Sequence, residues 1–255
     1  MPAFFARRSL PVPTLFGAVV IVVFMLAALL AWGRWIGGHL SESAPAVGSD
    51  GRGARTLVVE GWLGEMQLDT VLATLRQRRY ERVVVAGGPF EDWREERRFA
   101  TYAERAADYL RRHGAAEPPV IAAPAPASAQ DRSFLSAVVV RDWAEKAGVD
   151  LGAIDLYSAG VHARRSGIVY RMALGPAVEV GVLAAPPSEY DPARWWTTSA
   201  GAKAVMGEVL SVAWTRCCFW PAPRGSFRER WAVPEPARPA TAGPSPYRAA
   251  SAPAR

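Results

Sequence analysis

Residues 56–88 read TLVVEGWLGEMQLDTVLATLRQRRYERVVVAGG. Thr56–Glu60 is a short β-branched run that stops at Gly61. Leu68, Val71, Leu72 and Leu75 follow at i, i+3, i+4 and i+7, the spacing of one helix face. Arg82–Ala86 is a second apolar run, closed by Gly87, Gly88 and Pro89. Strands apolar on both faces and joined by a helix predict a parallel pair inside a covered sheet.

The same alternation continues downstream. Phe99, Tyr102, Ala103, Ala106, Tyr109 and Leu110 repeat with helical period up to Gly114. Val120–Ala123 predicts a third strand, followed by a Pro/Ala-rich loop to Ala129. Asp131 or Ser133 caps a helix that runs to Ala147 and ends at Gly148. Ile154–Ser158 and Val178–Ala184 are further strands. Between them Ile168, Val169, Met172 and Ala173 mark a helix ending at Gly175-Pro176, and Ala200–Trp214 is a last amphipathic helix. The expected fold is α/β: a three-layer, Rossmann-like parallel sheet of about five strands over residues 56–220, preceded by one transmembrane helix. In such sheets ligands bind beyond the strand C-termini. That directs attention to Glu60–Trp62, Gly87–Phe90, the 123–133 loop and Ser158–Arg165.

Upstream, Leu15–Trp32 holds no charged or strongly polar residue, long enough to cross a bilayer as a helix. Residues 15–36 are therefore read as a transmembrane signal anchor, with Trp32 and Trp35 at the interface. Arg7 and Arg8 precede the run, which puts residues 1–14 in the cytoplasm and the main domain in the periplasm or outside the cell. A cleaved signal peptide is disfavoured, because the nearest small-x-small site, Ala44-Pro45-Ala46, lies well beyond the apolar run. Residues 37–55, Gly/Ser-rich and polar, are expected to be a flexible tether.

The chain has 255 residues, of which 50% are hydrophobic and 21% charged, so a large core can form. Its net charge of +6 sits on the flanks, because residues 56–220 hold nearly equal numbers of acids and bases. A nucleic-acid-binding domain should carry its positive charge on the folded part, so no nucleic-acid partner is expected. Residues 221–255 hold eight Pro and six Arg without apolar period and read as a disordered tail. The two cysteines, Cys217 and Cys218, are adjacent, and with Phe219 and Trp220 they are read as a packing or membrane-contact patch rather than a redox pair. His39, His113 and His162 are far apart, so no metal site is expected and no cofactor is indicated.

Ser158–Ser166, SAGVHARRS, follows a strand and opens a helix, where free backbone N–H groups favour an anion. His162 adds an imidazole titrating near neutrality, and Arg164 and Arg165 add forked donors. The bland alternative has His162 capping the helix and both arginines solvated, and the spacing does not separate the two. Gly87 and Gly88 let the backbone approach a ligand, or simply make a turn. Neither a GxGxxG fingerprint nor a P-loop is present. Asp131 is either an N-cap or a carboxylate orienting His162. Glu60 ends the first strand as a ligand-holding group or base, or pairs with an arginine. Trp195 and Trp196 are expected to pack against the sheet edge.

Ala86-Gly87-Gly88, the YLRRHG helix end at 109–114, Asp131-Arg132-Ser133 and SAGVHARRS together resemble the DUF218 family of YdcF/ElyC/SanA-like proteins. The resemblance covers roughly residues 56–185, with His162 and Arg165 on the family's His and Arg. Glu60-Gly61-Trp62 departs from the family's Gly-rich first turn. The resemblance implies a Rossmann-like domain behind a membrane anchor, facing the periplasm and serving cell-envelope or peptidoglycan-precursor homeostasis. One member is linked to S-adenosylmethionine, but this chain lacks the usual glycine-rich first loop.

Three functions are then open. The leading one is an inner-membrane-anchored domain binding an anionic ligand, with a lipid phosphate as the concrete case, through Gly87, Gly88, Ser158, Arg164 and Arg165. The second is a hydrolase or transferase with His162 as acid/base and Asp131 or Glu60 as its carboxylate partner. The third is a non-catalytic scaffold that docks a membrane partner.

Overall fold

The valine run at the centre of the second strand shows how the sheet is covered: Val83, Val84 and Val85 have no exposed surface at all. The computed structural model describes residues 13–41, 43–48, 51, 53–90, 98–114, 117–128 and 131–230. Its five strands are β1 (Thr56–Glu60), β2 (Arg82–Gly87), β3 (Val120–Pro124), β4 (Ala153–Ala159) and β5 (Glu179–Ala185), all parallel, in the order β3-β2-β1-β4-β5. Alternate residues serve opposite faces, as the pleat demands. Leu57 and Val59 join Val71 and Leu110 in one core, whereas Val58 joins Val138 and Tyr170 in the other. The first core lies under α2 (Glu65–Gln77) and α3 (Tyr102–Arg112), the second under α4 (Arg132–Ala147) and α5 (His162–Leu174). The Rossmann-like α/β fold expected from the strand-helix alternation is present.

Helix α3 starts later than its apolar period. Phe99 lies outside it, because Thr101 accepts a hydrogen bond from the Glu104 N–H while Glu104 accepts one from the Thr101 N–H, a capping box that fixes the first turn. At α4 the capping residue is Asp131, but through its backbone alone. Its φ of 50° is left-handed and its side chain makes no capping bond.

The N-terminal helix α1 (Leu15–Leu40) is long and apolar enough to span a membrane. Arg7 and Arg8 lie outside the described residues. The helix runs past residue 36, and its last turns are part of the domain. Gly33, Ile36, Gly37 and Leu40 are buried against α6 (Ser199–Cys217) and a kinked 3-10 segment, Pro192–Thr197. Burying side chains such as Ile36 and Leu40 contributes roughly 1.5–3 kcal/mol each. Gly37 is needed there, since a Cβ would come 2.4 Å from the Pro192 carbonyl oxygen. Trp195 sits on this joint, not on the sheet edge, and donates its indole N–H to the Gly33 carbonyl at 2.7 Å.

The stretch expected as a free tether is anchored at several points. Ser43 Oγ accepts from the Ala184 N–H, and Ala44 pairs antiparallel with Val182. The Ala46 N–H donates to Asp155 at 2.7 Å, and the Val47 and Gly48 N–H groups donate to Glu179. Asp155, buried in β4, also accepts from Tyr80, so the acid interrupting that apolar strand has two firm donors.

The start of the expected disordered tail is docked as well. Helix α7 (Phe227–Arg230) brings Glu229 onto the buried Arg141, with bonds of 2.7 and 3.1 Å. Residues 231–255 lie outside the described residues. Cys217 and Cys218, read as a packing patch, are joined as a disulfide.

Candidate functional site

After β3 the chain crosses over and lays β4 on the other side of β1, so the strand order reverses between β1 and β4. Crevices form at such a point, beyond the strand C-termini. Here a cavity of about 470 Å³ occupies that edge. Glu60, Gly87 and Gly88 enter it from β1 and β2, Ala125–Ser128 from the loop after β3, Arg132, Ser133 and Ser136 from the start of α4, and His162 and Arg165 from α5. The walls are completed by Trp62, Phe90 and Tyr102. Gly61 and Gly87 owe their lack of a side chain to α3 as much as to any ligand. A Cβ on either would lie 2.8–3.1 Å from backbone atoms of Tyr102 or Ala103.

Glu60 lies at the base of the cavity and is only 2% exposed. Ser158 donates to its Oε2 at 2.5 Å and Ser166 to its Oε1 at 2.8 Å. No ion pair to it is found among the described residues, so of the alternatives open for Glu60 the arginine pairing is not the one seen, and two hydroxyls hold it instead. The carboxylate also reaches Tyr170 electrostatically. Burial first, and then the Glu60 charge, pushes that phenol well above its ordinary range. The Tyr170 hydroxyl has no hydrogen-bond partner among the described residues. Ser158 therefore belongs to the support of Glu60, beneath the cavity rather than in its lining.

His162 forms the opposite wall. Its Nδ1 is 2.8 Å from Glu208 Oε1, and Arg165 holds the same carboxylate through Nε (2.9 Å) and Nη2 (3.1 Å). Arg165 Nη2 is also 3.0 Å from His162 Nδ1, so two N–H groups converge on one oxygen. The carboxylate fixes the Nδ1 side of the ring and directs Nε2 away from itself. Nε2 has no partner among the described residues, and the Trp62 ring stands edge-on to the imidazole at 5.2 Å. Burial alone would raise the Glu208 carboxyl. Hydrogen bonds and charge from His162 and Arg165 outweigh it and bring the group down to about 2.

Two of the expected site residues lie elsewhere. Asp131 does not orient His162; that role falls to Glu208. Asp131 faces a neighbouring groove between α4, α5 and α6, where burial raises its carboxyl. Its left-handed backbone at the helix start turns it out of the cavity. Arg164 points the other way from Arg165 and donates to the His39 carbonyl of α1 at 3.1 Å. Adjacent helix positions are about 100° apart, so only one of two neighbouring arginines can face the cavity.

Trp62, Arg132 and Ser133 lie within the stretches that the strand ends single out, without an assigned site role; Glu208 and Ser136 lie outside them. Glu208 had a readable signal as the only acid in Ser199–Cys217, on a helix otherwise rich in apolar and small residues. Arg132 stands in Asp131-Arg132-Ser133 at the start of α4, and it, rather than Asp131, lines the cavity. Among the described residues no group of three or more His, Cys, Asp or Glu side chains gathers at metal-binding distance. No family model matches the chain, and no curated protein or solved structure matches it.

Proposed function

We propose that this chain is a membrane-anchored, extracytoplasmic α/β domain whose cavity binds an anionic, phosphate-bearing ligand in bacterial cell-envelope biogenesis or homeostasis. The observation that carries the reading is the cavity itself. Arg132, Arg165, His162 and the first turn of α4 converge on a space of about 470 Å³ at the strand-order reversal. Arginine forks and helix-start N–H groups are donors matched to phosphate oxygens. Glu208 already shares the charge of Arg165 and bonds His162, so the wall is held in place before a ligand enters. The envelope setting and the outward orientation rest on Arg7 and Arg8 before the apolar run and on the DUF218 resemblance, both readings of sequence.

The Glu208–His162 bond favours a second reading, a hydrolase or transferase. A carboxylate on Nδ1 orients the ring and would stabilise an imidazolium formed at Nε2, which is buried and has no partner among the described residues.

The test is thermal unfolding of the full chain in detergent, with inorganic phosphate and with ethyl phosphate. At about 100 times its dissociation constant a ligand adds roughly 2.7 kcal/mol of stability. The shift should be lost in Arg132→Ala and in His162→Ala. A folded wild type that responds to neither anion would sink the reading.

A further inference from the structure

The course of the chain out of α1 sets which edge of the sheet faces the membrane. The uncharged run ends at Trp32, and Gly33 accepts the Trp195 indole bond. Six residues on, a rise of about 9 Å along a helix, the His39 carbonyl meets Arg164 in the first turn of α5. The chain then follows β5 from its C-terminal end to its start: Ser43 at Ala184, Ala44 at Val182, and Val47 and Gly48 at Glu179. All five strands are parallel, so the end of α1 meets the domain at the strand C-terminal edge, the edge that carries the cavity.

A second feature points the same way. A groove of about 460 Å³ between α4, α5 and α6 shares Arg132, Ser133 and Arg165 with the cavity. Beyond those residues Phe134, Val169, Leu210, Trp214 and Phe219 line it, with Asp131, Ser211 and Thr215 set among them. At its rim Leu210 is 68% and Trp214 51% exposed, large apolar surface left open to the surroundings. Arginines shared with the cavity and a run of large apolar side chains along the groove match a molecule with an anionic head and a hydrocarbon chain.

We infer that the cavity draws its ligand from the bilayer that α1 spans. The ligand is an anionic amphiphile whose head sits by Arg132 and His162 and whose chain lies along the groove. This inference rests on the anion-binding reading above and narrows it from soluble phosphates to membrane lipids.

The experiment compares ethyl phosphate with dodecyl phosphate on the full chain in phosphatidylcholine nanodiscs. Each methylene buried is worth about fourfold in affinity, so dodecyl phosphate should bind at least about a hundredfold more tightly than ethyl phosphate. Leu210→Gln and Trp214→Gln, made separately, should each reduce that ratio by about tenfold. Partition of the probe into the nanodisc is common to all three proteins and cancels in the comparison. Both side chains are largely exposed, so the variants should fold, as ligand-free unfolding temperatures would verify. An unchanged ratio in both variants overturns the groove assignment while leaving the anion site standing. Binding of neither phosphate overturns both.

Discussion

The two glutamates of the cavity are the same residue in opposite surroundings. Glu60, at the base, is nearly sealed from solvent and held by neutral hydroxyls. Glu208, behind the wall, is held by an imidazole and a guanidinium. Neutral donors satisfy a buried carboxylate without cancelling its charge, whereas cations do both. Glu60 is therefore satisfied without a counter-charge, while the charge of Glu208 is spent on setting His162 and Arg165. The base is a hydroxyl-bonded carboxyl group, and the wall is the ion-paired side of the cavity.

The harshest way to break this contrast is Glu60→Ala. It strands two buried serine hydroxyls, at about 1–3 kcal/mol for each buried group left unsatisfied. Urea denaturation should show a loss of about 3 kcal/mol. Glu60→Gln should recover about half of it, because the amide accepts from one serine and donates to the other. A loss below about 1 kcal/mol for the alanine variant would mean that the base is not the sealed network described.

The wall should show itself in acid. The Glu208 carboxyl is depressed to about 2 in the folded state, below its ordinary value. Its stabilisation is thus complete above the unfolded pKa and disappears as pH falls from about 4.5 towards 2. Wild type should lose unfolding temperature more steeply than Glu208→Gln across that interval. Parallel curves for the two proteins would count against the ion-paired wall.

The smallest effect expected sharpens the contrast by exclusion. Arg164→Gln leaves the charge of the cavity as it was, because Arg164 serves the His39 carbonyl. Its affinity for ethyl phosphate should stay within about twofold of wild type, with a stability cost of about 1 kcal/mol. A tenfold fall in affinity would put Arg164 back in the site.

What could be read beforehand follows from how locally each feature is encoded. All five strands were legible, because buried parallel strands are continuous apolar runs. So was the position of His162, since a strand stop followed by a helix start is a local pattern. Glu208 was not, because its meeting with His162 spans 46 residues and depends on how α6 crosses α5. The docking of Ala46 on Asp155, 109 residues away, was hidden for the same reason. The acid within the apolar run Ile154–Ser158 was its one visible trace. Polarity alone suggested a tether at 37–55, yet polar backbone is also what an open sheet edge recruits.

The joint at Gly33 and Gly37 has a mechanical consequence. A 26-residue helix is about 39 Å long against a hydrocarbon core of about 30 Å. Its last turns are clamped to the domain through Gly33, Ile36, Gly37 and Leu40. On the proposed membrane-spanning reading, a tilt of α1 that matches the bilayer would carry the sheet with it, and membrane thickness would set the angle of the cavity.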